Sequence, residues 1–440
     1  VHSSGSSNVI LRNTFTHNGS CGSPAIDVSG SSNTVKSNVI YFYSSNTAAA
    51  INIGGNGDNS LVTENYIVWG NGSQAYIDAV RFLSGSTGVT FSFNDLYVWG
   101  GSNQQVNGIG VNGGTNHIIS NNITYNATGS NNYVIYLSGA SNGKIYNNTI
   151  SPVDGSVYVS NIYLTGSTGY NISTNKIFTN GSNVESIYLA SGSNSNTIEK
   201  NNITLHGTNA AYAIEADSST GTLVSGGNIT VIKGTGRGIN FNSGAGSARV
   251  EGVTIKTIGS NSWGIGLLGD NITVANVSVT TEGPTSYPII LSGSQDLRII
   301  DSFLNGSDPS SHDLYSVSSE LNISTENVTL ANNVSIDVAS LENVNLETFA
   351  PSAAPAAPQE QIALGHYINL STTNPTNWIS LNFTYTDAEI ASAGIGAESK
   401  LKIWMLNSTG QWSGHGFYTS GTRVVDPANN EVGINVTTGG

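Results

Sequence analysis

The densest acidic chemistry in the sequence is the run Glu215-Ala216-Asp217, followed roughly one repeat later by Arg237. Carboxylates two residues apart share one face of a strand. A pair of carboxylates a few ångströms apart is what glycoside hydrolysis requires, and a calcium-dependent lyase needs clustered acids beside a basic residue. The run has few companions: Glu64, Glu251 and Glu326 recur many repeats apart, and between Gly100 and Val184 the only acid is Asp154. It therefore reads as a solvated strand face, and the chain is expected not to be an enzyme. "GHG" (Gly414 to Gly416) has no companion acids, and "NGDNS" (Asn56 to Ser60) offers oxygens without the carboxylate count of a dedicated calcium loop. The seven histidines are scattered without metal spacing, so His117 and His206 read as strand or corner residues. Cys21, the one cysteine, is either a free thiol or half of an intermolecular disulfide. No catalytic residue, cofactor or metal ligand is assigned.

The elements that carry these residues repeat. Aligned on the asparagine of "x-N-x-I/V", the chain returns through Asn13, Asn38, Asn65, Asn94, Asn121, Asn147, Asn175 and Asn201, then Gly227, Gly252, Asn276, Asp301 and Asn327. The step is roughly 24 to 29 residues over about thirteen turns, and self-similarity at such a period marks a repeat array. Each unit holds three short apolar runs, such as "HIIS" (117–120), "ITY" (123–125) and "YVIYL" (133–137), separated by Gly/Ser/Asn clusters. Such runs between turn-forming clusters are strands. Three strands in about 26 residues predict a parallel β-helix, whose coils bury their apolar face only by stacking. Asparagine tolerates left-handed backbone angles at a tight corner, and stacked amides recur about 4.8 Å apart as a ladder. In "NNIT", Asn121 is expected inward on that ladder, Asn122 outward, Ile123 inward and Thr124 outward. Trp69 and Trp99 follow the ladder by four and five positions and are expected to meet on the outside.

The repeat gives way at "APSAAPAAPQEQ" (350–361), an extended Pro/Ala linker. Beyond it, period-two runs such as "WISLNFTYT" and "VGINVTT" predict a small β-sandwich over 362–440, with one helical turn in "DAEIASAGI". The β-helix is assigned to 1–349. The fold class is thus all-β: a right-handed parallel β-helix of about thirteen coils followed by a small β-sandwich.

These residues resemble the right-handed parallel β-helix proteins of archaeal cell surfaces, in the broad pectate-lyase-like superfamily, through the "N-x-I" repeat of residues 1–349. "YTDAEIASAGI", "LKIWMLNSTGQW" and "VVDPANNEVGINVT" look like the β-sandwich module that follows such regions. The resemblance implies an exported, glycosylated envelope protein at the cell surface, of the surface-layer, sheath or adhesin type. It would normally run a few residues past Gly440.

Composition is read in the same direction. The net charge is −14 with 14 basic residues and no basic stripe, which argues against nucleic acid. No apolar run reaches the roughly 18 residues of a membrane span. Only 10% of residues are charged, and weakly charged β faces favour lateral contacts. Roughly nineteen Asn-x-Ser/Thr sequons occur, a modest excess over composition. Asn18, Asn71, Asn122, Asn126, Asn180, Asn202, Asn228, Asn305, Asn369, Asn382 and Asn407 are the candidate N-glycan acceptors, while Asn276 and Asn327 are expected in the inward ladder phase, without glycan. The expected role is a self-assembling coat, sheath or filament subunit, a homo-polymer through β-helix faces or ends. The alternatives are an adhesin or carbohydrate-binding surface protein, and a polysaccharide lyase or hydrolase.

Overall fold

The computed structural model describes residues 1–440 except 21, 45–47, 72–76, 101–104, 128–130, 153–158, 233, 309–310, 318–320, 331–333, 342–344, 349–367, 372–377, 396–397, 399–400, 402, 407–411, 415–421 and 438–440. The chain is all-β, a parallel β-solenoid of about 11 turns with a small C-terminal sheet. That is fewer than the thirteen coils expected. The last repeat match, Asn327, lies inside one ten-residue strand, Leu321–Leu330, whose next neighbour is antiparallel rather than another coil. Two compact units, Val1–Ile258 and Gly259–Gly440, divide the chain.

In the first unit each coil contributes one strand to a sheet whose strands from Ile77–Phe82 to Gly236–Phe241 run six or seven residues, the long-strand sheet, and two strands that flank a corner. One such coil comprises Asn132–Ser138, Lys144–Tyr146 and Thr149–Pro152. Every strand pairs in parallel with its equivalents above and below, so like residues stack: Ile109, Ile135, Ile162, Ile187, Ile214 and Ile239 form one column. All six are at most 1% exposed. Full burial of such a side chain contributes about 1.5–3 kcal/mol, and the repeat multiplies that gain coil by coil. In the long strands the residue before this isoleucine also points inward. Val134, Asn161, Ser186 and Ala213 are all buried. Two consecutive inward residues bend the strand, so side chains three apart, not two, share the outer face: Tyr133 with Tyr136, and Glu185 with Tyr188.

The corner is a two-residue device. Arg12, Ser37, Glu64, Phe93, Ser120, Asn147, Thr174 and Lys200 form a column in the left-handed region, with φ between 52° and 56°. Each non-glycine residue there costs about 1–2 kcal/mol. The next residue is the ladder asparagine: Asn13, Asn38, Asn65, Asn94, Asn121, Asn148, Asn175 and Asn201. Asn121 Oδ1 accepts both the backbone N–H and Nδ2 of Asn94 at 3.0 Å, and Asn121 Nδ2 donates to Asn148 Oδ1 at 3.0 Å and to Phe91 O at 2.9 Å. The same bonds recur from Asn148 to Asn175 and from Asn175 to Asn201. Each net bond contributes about 1 kcal/mol, which offsets the strained neighbour.

This geometry corrects the reading of "NN". The left-handed residue is the one before the ladder asparagine, and the ladder asparagines are not themselves left-handed. Asn147 is therefore not a ladder residue. Lys144–Tyr146 pairs with His117–Ile119, which aligns exposed Asn147 with Ser120 and buried Asn148 with Asn121. The column ends at Gly227, where a Cβ would sit 2.3 Å from the carbonyl oxygen of Asn201. Gly252 belongs to the left-handed column, and the ladder place beside it is Val253.

In the second unit, Trp263–Leu267, Tyr287–Leu291 and Leu314–Ser316 continue in parallel register. Asn276, Asp301 and Asn327 are its left-handed, exposed corner residues, and the inward place beside Asn276 and Asn327 is valine, Val277 and Val328. The inward assignment of Asn276 and Asn327 is thus corrected, because both sit one residue before the inward phase. Antiparallel pairing begins with Val334–Leu341, which joins Leu321–Leu330 to Trp378–Thr384; Glu431–Thr437 and Thr422–Asp426 follow. The helix α1, Asp387–Ser392, is closed by a capping box between Thr386 and Glu389. Among the described residues no helix is long and apolar enough to cross a membrane.

Candidate functional site

The outer face of the long-strand sheet gathers the reactive side chains of the first unit. Register places Tyr133, Ser160, Glu185, Tyr212 and Arg237 in one row, and Tyr136, Tyr163, Tyr188, Glu215 and Asn240 in the row beside it. Glu185 and Glu215 lie on adjacent strands. Asp217 shares the face of Glu215, two residues along the same chain. Glu185, which the sequence reading did not single out, thus lies one coil from the Glu215–Asp217 pair on the same face.

Their electrostatics differ. Glu185 Oε2 accepts the Ser160 hydroxyl at 2.7 Å. Burial raises its pKa to about 7, with the charge of Glu215 adding to the rise and the Ser160 bond opposing it. Glu215 is also raised, first by burial, but its ionised form has more support: Asn242 Nδ2 donates to Oε1 at 2.7 Å, and the Arg237 guanidinium attracts it. Arg237 is fixed in turn by Nη1 to Asn240 Oδ1 at 3.0 Å and by stacking 4.9 Å from the centre of the Tyr212 ring. Tyr188 reaches toward Asp217 Oδ2 at 3.5 Å, and its phenol is shifted upward by burial and by Glu215 and Asp217. Beneath this face the core is polar: Asn161 Nδ2 donates to Thr179 Oγ1 at 2.5 Å, and Thr179 bonds Ser186 at 2.7 Å. All three residues are fully buried, a network that fixes the strands carrying Ser160 and Glu185.

To one side of the carboxylates stands a tyrosine platform. Tyr133 stacks on Tyr163 at 4.3 Å and on Tyr136 at 5.3 Å, Tyr136 lies 5.7 Å from Tyr163 and nearly parallel to it, and Tyr163 meets Tyr188 edge-on at 5.3 Å. Flat aromatic surface next to paired carboxylates suits a sugar ring, which presents one apolar face and a polar rim. Sequence reasoning missed Glu185 and the platform because it aligned the repeat on the asparagine corner. Alignment on the long strand, "YVIYL", "SNIYL", "ESIYL", "YAIEA", "RGINF", puts both rows in register.

The remaining candidates lie elsewhere. Asn18, Asn122, Asn202 and Asn228 are exposed, and Asn126, Asn180, Asn305 and Asn382 are half-buried. Cys21, His415 of "GHG", Asn407 and the side chains of Asn71 and Asn369 lie outside the described residues. Trp69 and Trp99 do not meet. Trp69 pairs with Val98 and Trp99 with Gly70, so Trp69 is wholly buried, donating to Ala48 O at 3.2 Å, while Trp99 is exposed. The two repeats differ by one position between ladder and tryptophan, which reverses the side-chain direction. Asp58 of "NGDNS" accepts the Thr87 N–H at 2.9 Å, and among the described residues no three His, Cys, Asp or Glu are grouped to hold a metal.

No protein-family model and no curated protein matches the chain. Among solved structures it is similar to a PL6 alginate lyase in complex with a trisaccharide, with 13% identity over 68% of this chain and 80% of that one and a TM-score of 0.38. It is also similar to a mutant tailspike protein of E. coli bacteriophage HK620 in complex with a pentasaccharide, with 10% identity over 99% of this chain and 79% of that one and a TM-score of 0.31. The expectation that the chain is not an enzyme does not stand: Glu185, which the sequence reading passed over, shares the outer face with Glu215 and Asp217.

Proposed function

We propose that the first unit binds a polysaccharide along the outer face of its long-strand sheet and cleaves a glycosidic bond there. The observation that carries this reading is the adjacency of Glu185 and Glu215 beside the tyrosine platform. The two carboxyl groups have different surroundings, which is how acid and base roles are assigned. Glu185, pushed up to about 7 by burial, is about half protonated at neutral pH and in that form gives its proton to the leaving oxygen. Glu215, raised by burial but with its ionised form supported by Asn242 and Arg237, acts on the other side of the sugar. Tyr133, Tyr136 and Tyr163 hold neighbouring sugar rings. The test is release of reducing ends from polysaccharides by the whole chain and by Glu185→Gln. Equal release by the two would remove Glu185 from the chemistry.

A second reading, a self-assembling envelope subunit, draws on the exposed aromatic column of the opposite side. Tyr41, Tyr66 and Tyr97 are in edge and tilted contact, and exposed Trp99 lies nearby. Sequons and low charge support an extracellular setting for both readings. Electron microscopy of material taken from cells, before and after reductant, separates them: a regular tube or lattice favours the coat, and dispersed particles speak against it.

A further inference from the structure

The charge of the site bears on what kind of glycan it takes. Among the described residues the groups facing it are Glu185, Glu215, Asp217 and Arg237. With both glutamates ionised, three negative charges face one positive; with both protonated, Asp217 and Arg237 cancel. Arg237 is already engaged by Asn240 and Tyr212. Arg81, further along the same sheet, is paired with Asp78 at 2.7 Å. The chain as a whole carries a net charge of −14. A chain of uronate residues would bring one negative charge per sugar to a face with no surplus of positive charge in either protonation state, and like charges in a partly buried site repel strongly. The platform offers stacking and half-buried Asn242 a polar edge, which serve a ring with hydroxyl groups.

We infer that this site takes an uncharged polysaccharide and cleaves it by hydrolysis rather than by elimination. The inference rests on the polysaccharide reading above. A neutral sugar has no carboxylate at C5 to acidify the neighbouring proton, so elimination has no starting point. Water supplies the balance instead. The C1–O bond breaks, the leaving oxygen takes the Glu185 proton, and water adds its oxygen to C1. The water proton is taken up by a carboxylate of the site.

The experiment titrates the whole chain calorimetrically with neutral hexasaccharides of glucose, xylose and mannose and with hexamers of galacturonate and mannuronate. The expected result is at least tenfold tighter binding of a neutral hexamer. Its affinity should be unchanged between about 50 and 500 mM salt, since no ion pair holds it, and at least tenfold weaker in Tyr163→Ala. Cleavage should release reducing ends without the ultraviolet absorbance of an unsaturated product. Preference for a uronate hexamer, with affinity that falls with salt and in Arg237→Gln, would overturn the uncharged assignment and leave the polysaccharide site standing. Binding of neither class would overturn both. Because the salt series needs no variant, misfolding of Tyr163→Ala does not decide the outcome.

Discussion

The asparagine corner and the outer face of the long-strand sheet both stack residues along the helix, yet they treat polar atoms in opposite ways. At the corner each amide finds its partners in neighbouring coils: Asn121 accepts two bonds from Asn94 and gives one to Asn148. On the outer face the stacked groups are unlike. Tyr188 stacks on Glu215, Ser160 on Glu185, and Tyr212 lies between Glu185 and Arg237. Repetition of one residue type satisfies hydrogen bonds and builds stability. Interruption of the repetition leaves carboxylates half-buried, with shifted proton affinities, which is the condition for chemistry.

The sharpest way to break this comparison is Glu185→Gln, which keeps shape and removes the proton donor. If the outer face is catalytic, turnover falls by about 10²–10⁴-fold, measured as reducing ends released. The same variant reports on stability with a defined sign. Because the folded pKa of Glu185 is raised from 4.5 to about 7, the native state resists ionisation. Below pH 4.5 the group is protonated folded or unfolded and costs nothing. Between about pH 4.5 and 7 the unfolded chain ionises first, so the wild type progressively loses stability, and above pH 7 the loss is complete. Chemical denaturation should find Glu185→Gln more stable than wild type at pH 8 by up to about 3 kcal/mol, with no difference at pH 4.

The corner predicts the reverse pattern: a loss of stability with no change in glycan affinity. Asn121→Ala leaves the buried N–H of Asn94 without its acceptor and removes one of three acceptors from its Nδ2, a cost of about 1–3 kcal/mol. Hydrogen exchange at the Asn94 amide reads it locally, which suits a repeat array that does not unfold as one unit. Smallest is the left-handed column. Phe93 holds φ 54° while 63% exposed, so Phe93→Gly should stabilise by about 1 kcal/mol. A destabilised Phe93→Gly in a melting experiment would show that the exposed ring does more than turn the chain.

How much of this was legible depends on which column was followed. The asparagines mark their corner so regularly that coil length and strand number can be read directly. The "NNT" at 147–149 misled because both residues are asparagine: only the register of Lys144–Tyr146 against His117–Ile119 shows which one faces inward. Beyond Asn201 the motif survives in Asn276 and Asn327 through the left-handed residue alone, since asparagine is favoured there for a different reason. Trp69 and Trp99 failed similarly, by one position of side-chain alternation.

The sequence by itself determined the solenoid, because apolar strands of this length at this period bury their faces only by stacking on like strands. Where parallel pairing ends was not legible: antiparallel pairing begins with Val334–Leu341, inside the segment 1–349 assigned to the β-helix. Tertiary structure alone decided the site. Two consecutive inward residues in each long strand turn Glu185 and Tyr188 to the same face, and coil stacking puts Glu185 and Glu215, 30 residues apart in sequence, on adjacent strands of that face. Proton affinity follows from that burial and proximity, which do not exist until neighbouring coils are in contact.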